Sequence, residues 1–143
     1  MLKKIASTLS VLVLSLIGVF SFETDKAKAA TWYFETEDGT VDNYVDTSSS
    51  WRNVFVIVPD DGLIRTDGYG AAPAAPSQLK VRLCNTAYPY PCTTFKTFTT
   101  DRNADGIAKF YDMKVGTFYV DIRDNYIGQW VEGKNNTFNT NSY

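Results

Sequence analysis

The feature that most limits the fold of this chain is the alternation of apolar and polar side chains in short segments. In one segment the apolar Leu79, Val81 and Leu83 alternate with Lys80 and Arg82, and residues 118–123 repeat the pattern. Successive side chains of a β-strand point to opposite faces of a sheet, so the pattern predicts strands with one buried face and one exposed face. Residues 30–143 contain no long apolar pattern with the 3.6-residue spacing of a helix.

Segments rich in Val, Thr, Tyr and Phe recur along residues 30–143 and are separated by Gly, Pro, Asn and Asp. They predict strands over residues 31–36, 53–58, 78–84, 93–98, 107–111, 117–123 and 128–132, and a short one near 137–139. About seven strands at this spacing predict an all-β fold, an immunoglobulin-like antiparallel β-sandwich in a single domain. Residues 59–77, rich in Pro, Gly and Ala, predict a long loop that serves either as a connector or as a binding loop.

The first 29 residues have the pattern of a secretory signal peptide. Lys3 and Lys4 precede an apolar run from Ile5 to Phe20, and small residues stand near Ala29. The run is shorter than the roughly 20 residues that span a bilayer, which argues against a membrane anchor. We therefore expect cleavage after Ala29, a secreted protein comprising residues 30–143, and no membrane span once the signal is removed.

Composition excludes several kinds of function. The chain contains no histidine, and its formal net charge is −2 at pH 7. The absence of histidine removes the commonest general base and the usual zinc ligand, and with them serine–histidine and cysteine–histidine catalysis. No basic cluster is present to bind nucleic acid. Carboxylate pairs such as Asp60 and Asp61 are neighbours in the chain and do not form the facing pair of a glycosidase. We expect a protein that is not an enzyme and does not bind nucleic acid.

The two cysteines, Cys84 and Cys92, predict a disulfide, because an even number of cysteines in an exported domain indicates pairing. The bridge would close a loop that also contains Tyr88 and Tyr90, each followed by a proline. Two hypotheses remain open for these tyrosines. They form a pre-organised binding tip for sugar rings or a protein partner, or they fold back and cover the end of the core.

A family resemblance covers about 45 residues and is carried by the segments 79–83 and 99–120. Residues 99–120 contain a Thr-Asp turn, Gly106, an Ala-x-Phe strand, an apolar residue, and a second glycine before an aromatic strand. This order resembles prealbumin-like domains, among them the B-type repeats of bacterial collagen adhesins and the carboxypeptidase regulatory-like modules. The resemblance implies a prealbumin-like β-sandwich, and because its residues are core and turn positions, it bears on the fold more than on function. The Lys–Asn isopeptide bond common in the adhesin repeats cannot be placed on this sequence.

One short motif suggests a metal. Asp101, Asn103 and Asp105 stand at alternate positions and are followed by Gly106, as in the first half of a calcium-binding loop. A complete EF-hand is excluded, because the predicted strand that follows would carry Asp112 about 16 Å away. The alternatives are a Ca²⁺ site and an ordinary hairpin turn without a cofactor.

We expect a secreted, non-catalytic binding module that contacts a cell-envelope polysaccharide or an extracellular protein through loops at one end of the sandwich. A first alternative is an inhibitor or antagonist that uses the Tyr-Pro-Tyr-Pro loop. A second alternative is an extracellular matrix component that associates with itself through an exposed strand edge.

Overall fold

A computed structural model describes residues 30–141 as two packed antiparallel β-sheets. The strands are β1 (Ala30–Glu35), β2 (Asn43–Thr47), β3 (Asn53–Val58), β4 (Ile64–Thr66), β5 (Ala71–Pro73), β6 (Leu79–Asn85), β7 (Lys96–Thr97), β8 (Thr99–Thr100), β9 (Gly106–Phe110), β10 (Gly116–Asp124) and β11 (Trp130–Thr140). One 3₁₀ turn covers Pro76–Gln78. The predicted all-β sandwich is confirmed, and the signal-peptide prediction lies outside the described residues.

The larger sheet has seven strands, six of them in the order β5-β4-β11-β3-β9-β8. The seventh, β1, pairs with β11 on the edge opposite to β3. The smaller sheet has four strands in the order β2-β10-β6-β7. The last long strand, β11, therefore lies between the first strand and the third. Pairing partners far apart in sequence join the two ends of the described chain within one sheet.

The core lies between the two sheets and is built from the apolar positions of the alternating segments. Leu79, Val81 and Leu83 on β6 and Val120 on β10 are fully buried. The neighbouring Lys80 and Arg82 on β6 lie on the opposite, solvent-facing side. The burial of every second residue is the outcome that the sequence pattern predicts for a strand with one wet face.

The strand count of about seven was too low, since the described residues form eleven strands. The missed strands β2, β4, β5 and β8 have between two and five residues, which is too short to show a clear alternation. Residues 59–77 are not one long loop, because β4 and β5 form a small antiparallel pair within them. The predicted strand over 93–98 shrinks to the two residues of β7.

The chain does not turn at residues 133–136, where Gly, Lys and Asn predict a break between two strands. These residues continue β11 without interruption and pair with β1, and Asn136 also pairs with Ile57 of β3. Gly133 suits this central position, because a Cβ there would come within 2.6 Å of Leu63 Cδ1. Pairing on both edges overrides the local preference for a turn.

Candidate functional site

The disulfide-closed loop of residues 84–92 stands at the end of β6. The Cys84–Cys92 disulfide is present, with Cα atoms 3.9 Å apart, as the sequence predicts. Beside the disulfide, the Asn85 N–H donates to the Pro91 carbonyl at 2.9 Å. The Thr86 N–H donates to the Thr117 carbonyl of β10 at 3.0 Å. The base of the loop is therefore held by covalent and hydrogen bonds to both of its flanks.

The two tyrosines of this loop point into solvent. The Tyr88 side chain is 85% exposed and the Tyr90 side chain is 57% exposed. Their rings meet edge to face with centroids 5.9 Å apart. The Tyr90 N–H donates to the Ala87 carbonyl at 2.8 Å, which closes a turn inside the loop. Neither ring belongs to the core cluster, so the residues form an aromatic tip at this end of the sandwich.

A shallow groove of about 250 Å³ lies beside this tip. It is bounded by the disulfide loop on one side and by the β9–β10 connection on the other. Its lining is mostly apolar and includes Leu83, Asn85, Pro91, Met113, Lys114 and Phe118. Apolar concave surface next to exposed aromatic rings is the usual composition of a recognition site.

The residues of the possible calcium motif form a hairpin turn between β8 and β9. Asp101 Oδ1 accepts the backbone N–H groups of Asn103 at 2.8 Å and of Asp105 at 3.1 Å. Asp105 Oδ1 accepts the Asp60 N–H at 3.0 Å, which ties this turn to the end of β3. Both carboxylates thus already bind backbone donors, which favours the turn among the two alternatives.

The glycine of this turn is not its left-handed residue. The left-handed residue is Ala104, with φ of 65°. Gly106 instead meets a packing requirement, because a Cβ there would lie 2.5 Å from Pro76 Cβ and 3.0 Å from Phe98 Cβ.

Within residues 30–141, no group of three or more His, Cys, Asp or Glu side chains is placed to hold a metal ion. Calcium binding at Asp101, Asn103 and Asp105 stays a prediction.

A groove that the sequence did not reveal lies at the end of the sandwich opposite the aromatic tip. It has a volume of about 460 Å³ and combines carboxylates with cations, among them Glu35, Asp38, Asp42, Asp124, Lys80 and Arg123. These residues come from the end of β1, the β1–β2 connection, β6 and β10. Because β2 was not predicted, nothing in the sequence indicated that residues 36–42 would fold against β10.

Asp42 is the residue of this groove whose carboxyl pKa is shifted. Its Oδ2 accepts the Ile122 N–H at 3.0 Å, which fastens the start of β2 to β10. Burial raises the pKa of Asp42 to about 7; the Ile122 hydrogen bond opposes that rise, and the charges of Asp38 and Asp121 add to it. Asp67, at the β4–β5 turn, shows the opposite behaviour, since the N–H groups of Tyr69 and Gly70 lower its pKa.

Nearby, Thr36 connects three segments at the same end of the sandwich. Its hydroxyl donates to Asp124 and accepts the Val131 N–H at 2.8 Å. Asp124 in turn accepts the Tyr126 N–H at 2.8 Å. These contacts give Thr36 and Asp124 a structural role, because they hold the end of β1 against β10 and β11.

No model of a known protein family matches this chain, and comparison with curated proteins likewise finds no match. The resemblance to prealbumin-like domains therefore stays a prediction beyond the shared all-β architecture. No helix within residues 30–141 is long and apolar enough to cross a membrane.

Proposed function

We propose that this chain is a secreted, non-catalytic binding module that contacts an extracellular protein or a cell-envelope polysaccharide through its aromatic tip. The observation that carries the proposal is the exposure of Tyr88 and Tyr90 on a loop fixed by a disulfide. Aromatic side chains left in solvent are a source of binding energy, because a partner can bury their rings with little loss of side-chain freedom.

Pre-organisation gives this tip an advantage over a flexible loop. The hydrogen bonds from Asn85 and Thr86 and the disulfide restrict the backbone before any partner arrives. A rigid loop loses less conformational entropy on binding, so more of the contact energy appears as affinity. The groove bounded by Pro91, Met113 and Phe118 continues this surface and adds apolar area beside the rings.

The proposal predicts that the double substitution Tyr88→Ala and Tyr90→Ala weakens partner binding by about tenfold or more, as expected for truncating two aromatic anchors. The matched control is Tyr69→Ala, because Tyr69 is 99% exposed and lies on the separate β4–β5 turn. Binding is measured to purified insoluble cell-wall material and to proteins captured from culture supernatant. The protein for these assays is expressed from the full 143-residue sequence in a host that secretes it. The mass of the secreted product also tests whether residues 1–29 are removed.

Equal binding by the wild-type protein, the tip variant and the control would contradict the proposed site. Retention on the cell-wall material identifies a polymer ligand, and retention of one extracellular protein identifies a protein ligand. One-to-one binding that abolishes the activity of a single enzyme or receptor would make the protein an inhibitor acting through the same tip.

A further inference from the structure

Strand β1 is an open edge of the larger sheet. Among the strands of residues 30–141 it pairs with β11 alone, along all six of its residues. Other edges of the sandwich are less suited to pairing: β5 contains Pro73, and β7 and β8 have two residues each. The edge of β2 is approached by Asn139, whose Nδ2 donates to the Asp46 carbonyl at 2.7 Å. β1 contains no proline, glycine or lysine, the residues that commonly protect an edge.

The backbone groups that face outward on β1 follow from its register. The Thr36 N–H donates to the Val131 carbonyl at 2.9 Å, just beyond the end of β1. In an antiparallel pair the residues that bond to the neighbouring strand alternate with those that do not. The even-numbered residues of β1 therefore bond to β11, and Thr31, Tyr33 and Glu35 direct their N–H and C=O groups away from it.

Large aromatic side chains flank this edge on both faces. Tyr33, on the outer face, is 77% exposed, and the Lys134 ammonium lies 5.5 Å from its ring centre. Trp32 shares the inner face with the buried Phe34 but is itself 43% exposed. A groove of about 300 Å³ runs beside Phe34 and Val41, and its rim carries the carboxylates of Glu35, Asp38, Asp42 and Glu132.

We propose that β1 pairs with β1 of a second copy of this chain, antiparallel and centred on Tyr33. A two-fold axis perpendicular to the sheet then sets Tyr33 opposite Tyr33 and Thr31 opposite Glu35. All three residues with outward-facing backbone groups find partners in this register. On the inner face, Trp32 of each copy lies opposite Phe34 of the other and enters the groove beside it.

Shape favours a second copy as the occupant, and charge favours the antiparallel register. Glu35 is the charged side chain of β1, and the two-fold register places it against Thr31 of the other copy. A parallel pair would bring Glu35 next to Glu35, which is unfavourable. The exposed Trp32 and the groove beside Phe34 are complementary features of one strand, so two identical strands satisfy both at once. The surface is distinct from the aromatic tip, so the proposal does not depend on the proposed function.

The first test is sedimentation velocity over a wide concentration range on protein expressed from the full 143-residue sequence. The wild-type protein is expected to form a dimer. Tyr33→Pro removes an outward-facing N–H without removing a bond to β11, and the two-fold symmetry removes the contact twice. It should raise the dimer dissociation constant by about tenfold or more. Trp32→Glu leaves the backbone intact and should also give monomers, because it replaces the ring with a carboxylate that would face those already lining the groove.

Thermal melts and circular dichroism check that both variants are folded, and Tyr69→Ala is the control that should remain dimeric. A wild-type protein that stays monomeric at every concentration overturns the proposal, even if it binds a peptide strand from another protein. A dimer that persists in folded Tyr33→Pro and Trp32→Glu also overturns it.

The second test addresses the register. Tyr33→Cys should be joined to itself by a short bismaleimide, since position 33 meets its own copy. Thr31→Cys and Glu35→Cys should cross-link poorly alone and efficiently when the two variants are mixed. Efficient self-joining at position 31 or 35, with none at position 33, would show a different pairing and overturn the proposed one.

Discussion

At the scale of single residues, Asp42 shows how folding changes a carboxyl group. Burial against β10 raises its pKa to about 7, whereas an unfolded Asp titrates near 4. The folded state therefore holds a proton more tightly than the unfolded state does. For such a group, stability is greatest at low pH and falls as the pH rises from about 4 to about 7.

Asp42→Asn should remove this pH dependence, because the amide is uncharged and its oxygen can still accept the Ile122 N–H. We expect the free energy of unfolding of the variant to match the wild type near pH 4 and to exceed it above pH 7. Urea unfolding of both proteins at several pH values gives the difference between their free energies of unfolding. The titration of other groups, such as Asp67, is common to both proteins and cancels in this difference. A difference that does not change between pH 4 and pH 8 would show that Asp42 is ionised normally.

Asp101 is the residue on which the choice between a turn and a metal site depends. Its Oδ1 binds two backbone N–H groups in the turn. We expect melting temperatures in 10 mM Ca²⁺ and in chelator to coincide, and Asp101→Ala to destabilise the protein by about 1–2 kcal/mol through the lost hydrogen bonds. A rise of several degrees in Ca²⁺, abolished by Asp105→Asn, would instead establish a calcium site.

At the scale of structural elements, the disulfide loop has two roles: it stabilises the folded protein, and it holds the aromatic tip in place. The bridge closes a loop with a sequence separation of 8, and it restricts the unfolded chain. The double variant Cys84→Ser and Cys92→Ser should lose about 2–3 kcal/mol of stability yet still fold, because the core cluster contains no residue between the two cysteines. Thermal melts should show a decrease of roughly 10 °C or more, and reduced wild-type protein should show a similar decrease. Equal melting temperatures for the oxidised and disulfide-free proteins would contradict this role.

The elements that the sequence predicted well are those with strong alternation. Strand β3 occupies the predicted residues 53–58, and β6, β9 and β10 begin and end within one residue of their predictions. The short strands β4 and β5 were missed because Pro, Gly and Ala favour loops locally. These residues form strands because β4 meets the beginning of β11, a pairing between segments more than sixty residues apart.

At the scale of the whole molecule, the sandwich separates two kinds of surface. The aromatic tip with Tyr88 and Tyr90 stands at one end, and the charged groove with Asp42 stands at the other. The open edge of β1 runs along the side between them. A dimer through β1 would therefore leave both aromatic tips exposed, so the two proposed interactions are compatible and each copy keeps its own site.

The sequence by itself determined which side chains of the alternating strands face the core, the all-β class and the pairing of Cys84 with Cys92, because these depend on period-two alternation and a single possible bridge. The exposure of Tyr88 and Tyr90, left open by the sequence, was decided by how the loop stands on β6. The continuity of β11 and the groove around Asp42 also required the tertiary structure. Their physical basis is contact between distant segments, such as Asp42 with Ile122, and local residue preferences carry no information about such partners.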